Sequence, residues 1–109
     1  MILGPGWVAG EHIKGFQQSE YTDVRSIVGV DQSSKKMAEK YIAEHQLNAT
    51  YSENYKQELA RSDIDIVSIC LINNLHYKTT LQALQARKHV LIEKPLCLSL
   101  EELKRLRDE

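Results

Sequence analysis

The segment Ile64-Asp65-Ile66-Val67-Ser68-Ile69-Cys70-Leu71 is apolar at almost every position. A strand with one face in water alternates apolar and polar residues, whereas a near-continuous run suits a strand covered on both faces. Parallel strands are covered in this way, because the crossovers between them are helices lying on the sheet. The rest of the chain supplies those helices. Val8, Ala9, His12, Ile13 and Phe16 recur at spacings of three and four, one face of a helix. Met37, Ala38, Tyr41 and Ile42 mark a second, closing near Leu47-Asn48, and Tyr55 with Leu59 fits a short third. Leu81 and Leu84, with the small Ala83 and Ala86, give a fourth. Between them lie the apolar stub Ile2-Leu3, the β-branched Val24–Val30 ending at Asp31, a short strand over Ala49–Tyr51, and His89–Ile92. Ser99 followed by Glu102 is a capping box, opening a last helix with Leu100, Leu103 and Leu106 on one face.

Strand and helix in alternation, with short connections, predict an α/β fold built on an open, doubly wound parallel sheet. At 109 residues and 12.5 kDa the chain makes one domain over 1–109, with 99–109 starting the helix that leads on from it. A chain this size buries about two thirds of its unfolded surface, enough for one modest core and not for two domains around a cleft. Only Met1 to Leu3 precede Gly4, where a central strand wants about five residues, so the first strand reads as clipped.

Fourteen Lys and Arg against fifteen Asp and Glu leave a net charge of −1, which argues against duplex nucleic acid as a main partner. The longest apolar stretch, Ile66 to Ile72, falls far short of the ~20 residues that span a bilayer. Cys70 and Cys97 suggest no disulfide framework, and the start of the chain lacks the layout of a secretion signal, so a cytoplasmic location is expected. No metal site is expected, because the four His and two Cys lack close paired spacing.

Ligands on a doubly wound sheet bind beyond the carboxyl ends of its strands. Gly4-Pro5-Gly6, Asp31, Asn73 to His76 and Glu93-Lys94-Pro95 each come just after an expected strand. Gly4-Pro5-Gly6-Trp7-Val8-Ala9 matches the turn that holds a dinucleotide, with Ala9 at the third small position. Gly4 permits the turn, Gly6 lets backbone approach a pyrophosphate at the helix N-terminus, and Ala9 keeps helix and sheet close. Asp31, 25 residues beyond Gly6, suits the ribose hydroxyls and repels a 2′-phosphate, favouring NAD over NADP. Capping of the next helix, for which Ser33 or Ser34 is equally suited, is the plainer reading of Asp31, and Lys35 and Lys36 soften the preference towards NADP. Asn73 and His76 stand out by their place at a strand end, whereas capping suits Asn74 better. Lys94 would present an ammonium that hydrogen-bonds a substrate hydroxyl and stabilises the alkoxide formed as hydride leaves.

With these motifs in order, the sequence resembles the Gfo/Idh/MocA family, the glucose–fructose oxidoreductase and inositol dehydrogenase group, over nearly its whole length. Gly29-Val30-Asp31 is similar to that family's ribose-binding strand end, and Leu71-Ile72-Asn73-Asn74-Leu75-His76 to its Thr-Pro-Asn-x-x-His segment. Lys88 to Leu96, containing Glu93-Lys94-Pro95, is similar to its most diagnostic stretch. The resemblance implies a Rossmann domain binding NAD or NADP through Gly4, Gly6, Trp7, Val8, Ala9, Asp31, Leu71, Asn73, His76, Glu93 and Lys94. It implies hydride exchange with a sugar, cyclitol or related secondary alcohol, with Lys94 orienting the reacting oxygen. A cis Lys94–Pro95 bond is part of the same pattern, and X–Pro bonds tolerate it at low cost. Leu71 and Ile72 depart from the family's Thr and Pro, which changes the loop beside the nicotinamide ribose.

The family's α+β substrate domain, its Asp-x-x-x-His pair and its homo-oligomer interface are not in this sequence. The chain is therefore expected to be a fragment, inactive alone, of an oxidoreductase acting on a small-molecule substrate. The alternative is a non-catalytic dinucleotide-binding sensor module. A phosphoacceptor receiver domain is disfavoured, because Gly4-Pro5-Gly6 stands where that fold needs acidic residues.

Overall fold

Five parallel strands form one sheet in the order β3-β2-β1-β4-β5 in the computed structural model, which describes residues 1–109. Strand β1 (Ile2–Leu3) lies at the centre, with Ile2 opposite Ile27 and Ser68, and Leu3 opposite Val28 and Ile69. Strands β2 (Ser26–Val28) and β3 (Thr50–Ser52) extend the sheet to one side, and β4 (Ile66–Ile69) and β5 (His89–Ile92) to the other. Helices α1 (Trp7–Gln17), α2 (Gln32–Glu44), α3 (Tyr55–Leu59) and α4 (Asn73–Gln85) are the crossovers, and α5 (Leu100–Asp108) follows β5. The order reverses between β1 and β4, the switch point at which an open α/β sheet has its crevice.

The inner strands β1, β2 and β4 are buried on both faces, which is why β4 reads as nearly continuous apolar sequence. The edge strands β3 and β5 are partly exposed. Ile2, Ile27 and Cys70 join Ala9 and Ile13 of α1 and Ala38 and Tyr41 of α2 in one core layer. Leu3, Val28, Val67 and Ile69 pack with Leu59 of α3 and Ala83 of α4 in the other. Ala9 is fully buried where α1 meets the sheet, so a larger side chain there would push the helix outward.

Several boundaries are tighter than the apolar runs suggested. β2 covers Ser26–Val28 within the expected Val24–Val30, because Val30 turns out into solvent beyond the last ladder bond, although Val24 stays in the core. β4 covers Ile66–Ile69, with Ile64 and Leu71 packing against the core outside the ladder. α2 ends at Glu44, and the chain leaves it through Gln46 at a positive φ of 51°. Asn74 is not a cap. Ile72 is the N-cap of α4 without a side-chain bond, and Asn74 stands inside the first turn. The Ser99 box does form: Ser99 Oγ accepts the Glu102 N–H, while the Glu102 carboxylate accepts the N–H of Leu98.

Candidate functional site

Because all five strands run the same way, the residues that follow β1, β2, β4 and β5 share one rim of the sheet. Gly4 to Val8, Asp31, Leu71 to Asn73 and Lys94 all stand on it.

The turn after β1 is built on Gly4. Its φ is 86°, and a Cβ there would lie 2.8 Å from Leu71 Cδ2 and 2.9 Å from the Cys70 carbonyl. Only glycine combines that dihedral with that approach. Gly4 donates to the Val28 carbonyl, and Gly6 N–H closes back on the Gly4 carbonyl at 2.8 Å. Gly6 is the N-cap of α1 and has no side chain to bond the helix's first N–H groups, which face the rim. A Cβ built at Gly6 would meet nothing within 4 Å. An uncapped helix start with open space before it is where an anion such as a pyrophosphate is held, by free N–H groups and the helix dipole. Trp7 is 80 % exposed beside this space, and Val8 packs partly against the core.

Tyr41 of α2 supports the loop from beneath. Its hydroxyl donates to the Gly6 carbonyl at 3.0 Å, and its ring lies where a Cβ on Gly10 would come within 3.0 Å. Tyr41 reads in the sequence only as part of an apolar helical stripe, and neither it nor Gly10 carries a local signal for this role.

Asp31 ends the turn after β2 as the N-cap of α2, its Oδ1 accepting the Ser34 N–H at 2.7 Å. That bond holds its carboxyl below the usual carboxylate range. The capping reading is thus realised by Asp31. Ser34 also packs against Gly29, where any Cβ would collide with the Ser34 Cβ.

His76 is 1 % exposed, with Nδ1 2.7 Å from the Pro95 carbonyl and Nε2 2.8 Å from the Leu71 carbonyl. The expected direct contact with a cofactor has no free ring nitrogen to rest on. The imidazole instead ties the turn after β4 to the Lys94-Pro95 turn, whose peptide bond is cis. Asn73 is exposed in the first turn of α4.

Glu93 is also engaged away from the rim. Its Oε1 lies 2.8 Å from His12 Nε2, and His12 Nδ1 lies 2.7 Å from Ser68 Oγ. The imidazole holds the Glu93 carboxyl below its ordinary range, against a smaller opposing effect of burial. Lys94, next in sequence, is exposed and makes no hydrogen bond or ion pair through its ammonium. His12 went unremarked as a site residue, yet a signal existed: it stands in the apolar stripe of α1, where a polar side chain needs a partner.

No three His, Cys, Asp or Glu side chains gather to hold a metal ion. Cys70 is no nucleophile, since burial pushes its thiol up to about 11. No helix is long and apolar enough to cross a membrane.

The residues present fit a dinucleotide: an uncapped helix start, an open glycine, the Asp31 carboxylate and a free ammonium share one rim. Comparison with known proteins identifies the family. The family model for Gfo/Idh/MocA oxidoreductases, described as an oxidoreductase family with an NAD-binding Rossmann fold, matches residues 1–109. D-glucoside 3-dehydrogenase of Escherichia coli is 30 % identical over 107 residues, 98 % of this chain and 30 % of that protein. An uncharacterised oxidoreductase of Synechocystis is 32 % identical over 101 residues, covering 93 % of this chain and 26 % of its own. Among solved structures, myo-inositol dehydrogenase of Lactobacillus casei, in complex with NAD(H) and myo-inositol, superposes with a TM-score of 0.86. It is 29 % identical, and the match covers 98 % of this chain and 31 % of that one. Biliverdin reductase of Synechocystis, in complex with biliverdin and NADP⁺, gives a TM-score of 0.84 at 27 % identity, covering 98 % of this chain and 32 % of its own. The chain therefore spans no more than about a third of these relatives. With its sheet order, its glycine turn and a match along its full length, it belongs to the Gfo/Idh/MocA oxidoreductase family, as that family's NAD(P)-binding Rossmann domain.

Proposed function

We propose that this chain is the cofactor-holding part of a longer, cytoplasmic, homo-oligomeric oxidoreductase that oxidises or reduces a sugar, cyclitol or related secondary alcohol. One observation carries the reading: the open, uncapped start of α1 at Gly6 and the unpaired ammonium of Lys94 stand on the same rim, on either side of the β1–β4 switch point. The N–H groups of Trp7 and Val8 hold the pyrophosphate, Asp31 Oδ2 accepts from a ribose hydroxyl, and Leu71 and Asn73 line the nicotinamide side. The bound nicotinamide supplies the hydride acceptor or donor. Lys94 donates a hydrogen bond to the substrate oxygen and stabilises negative charge on it as the C–H bond breaks. The named relatives acting on a glucoside and on myo-inositol support the substrate class.

Calorimetric titration of the folded 109-residue chain with NADH and with NADPH tests the binding half, and failure to bind either at millimolar levels rejects it. In the chain extended by its second domain, Lys94→Met is expected to keep cofactor affinity and lose turnover. Binding with no turnover of any sugar or cyclitol in the extended wild type points instead to a sensor module.

A further inference from the structure

We propose that His12 is a positioning residue for Lys94, gripping the Glu93 carboxylate so that it does not pair with the ammonium beside it. The inference rests on the reading of Lys94 given above, since an ammonium meant for a substrate oxygen must stay free of other acceptors. Glu93 is the nearest threat, one residue away on the same turn. Strand alternation sends its side chain towards α1, where His12 meets it at 2.8 Å.

Two hydrogen bonds, one at each ring nitrogen, hold the imidazole in place. A carboxylate only accepts, so Nε2 donates its N–H to Glu93 Oε1 at 2.8 Å, while Nδ1 shares a hydrogen bond of 2.7 Å with Ser68 Oγ. Cys70 Sγ stands 3.6 Å from Nδ1 and 3.8 Å from Ser68 Oγ, enclosing the same side of the ring. Ser, His and Glu in a row are also the members of a hydrolytic triad, but Ser68 is fully buried beneath α1 and no substrate reaches it. What the row does accomplish is mechanical. It fastens α1, β4 and the end of β5 together, and α1 is the helix whose first turn faces the pyrophosphate position.

Competitive acetylation with acetic anhydride, read by mass spectrometry with the other lysines as internal standards, tests this directly. In the wild type the Lys94 amine is unpaired, so Glu93→Gln alone is expected to leave its acetylation rate unchanged; a faster rate would show the carboxylate already on Lys94 and overturn the proposal. His12→Asn keeps a partner for Ser68 but is too short to hold Glu93. It is expected to slow Lys94 alone by about two- to fivefold, the range of an exposed ion pair. Adding Glu93→Gln to His12→Asn should restore the rate, and His12→Gln, which keeps a donor for the carboxylate, should stay near wild type. An unchanged Lys94 rate in folded His12→Asn, or a loss that Glu93→Gln does not reverse, overturns the assignment. Should His12→Asn not fold, His12→Ala, alone and combined with Glu93→Gln, makes the same comparison. Cofactor titration of the wild type judges the binding reading separately, because the labelling needs no cofactor.

Discussion

Tyr41 donates its hydroxyl to the Gly6 carbonyl at 3.0 Å, so helix α2 fixes the turn that opens helix α1. Tyr41→Phe removes this bond while keeping the ring that packs on Gly10. The expected cost is about 1 kcal/mol of stability, read as a lower urea midpoint. A several-fold weaker NADH affinity should accompany it, because the turn is no longer held. Unaltered affinity would show that Tyr41 serves packing alone.

Two glycines in one turn should respond in opposite ways. Gly4→Ala forces an alanine to a φ of 86° and its Cβ against Leu71 and the Cys70 carbonyl. A loss of about 2–4 kcal/mol is expected. Gly6→Ala adds a methyl group to open space, so the fold should persist while NADH affinity falls at least tenfold. Circular dichroism and calorimetry on both variants separate the outcomes, and tight binding by Gly6→Ala would place the pyrophosphate elsewhere.

Asp31 caps α2 through Ser34, and in the proposed function it also accepts from a ribose hydroxyl. Asp31→Ala should cost about 1 kcal/mol through the lost cap. Asp31→Ser preserves a capping oxygen and removes the charge, so stability should hold. The ratio of NADPH to NADH affinity should then rise, roughly tenfold. An unmoved ratio would mean that the carboxylate contributes capping and no selectivity.

The Met1 ammonium donates to the Ile66 carbonyl at 2.8 Å, and burial, with a smaller contribution from Arg61, lowers it from 8.0 to about 6. The unfolded chain therefore takes up this proton first as the pH drops from 8 to 6. Stability should fall through that window, by up to about 3 kcal/mol for two units. Urea unfolding at both pH values, with and without acetylation of the amino terminus, checks it. The acetylated chain should lose this part of the difference.

Much of the fold was legible because its signals are local. The span of β5 and the Ser99 capping box came directly from the order of residues, and the glycine turn announced itself between an apolar stub and a helical stripe. The site was half legible. Spacing placed Lys94 and Gly6 on one rim, but it could not show that Glu93 turns towards His12, 81 residues away in sequence. It also set His76 among cofactor contacts, whereas folding seats that ring between two carbonyl groups. Such contacts depend on which helix covers which strand, information that exists only once the sheet has formed.

In the central strand, Ile2 belongs to one buried layer and Leu3 to the other. Neither layer can melt while its neighbour stays intact, because both lose their shared spine at the same moment. In a scanning calorimeter this protein should therefore absorb heat in a single endotherm, with equal van't Hoff and calorimetric enthalpies.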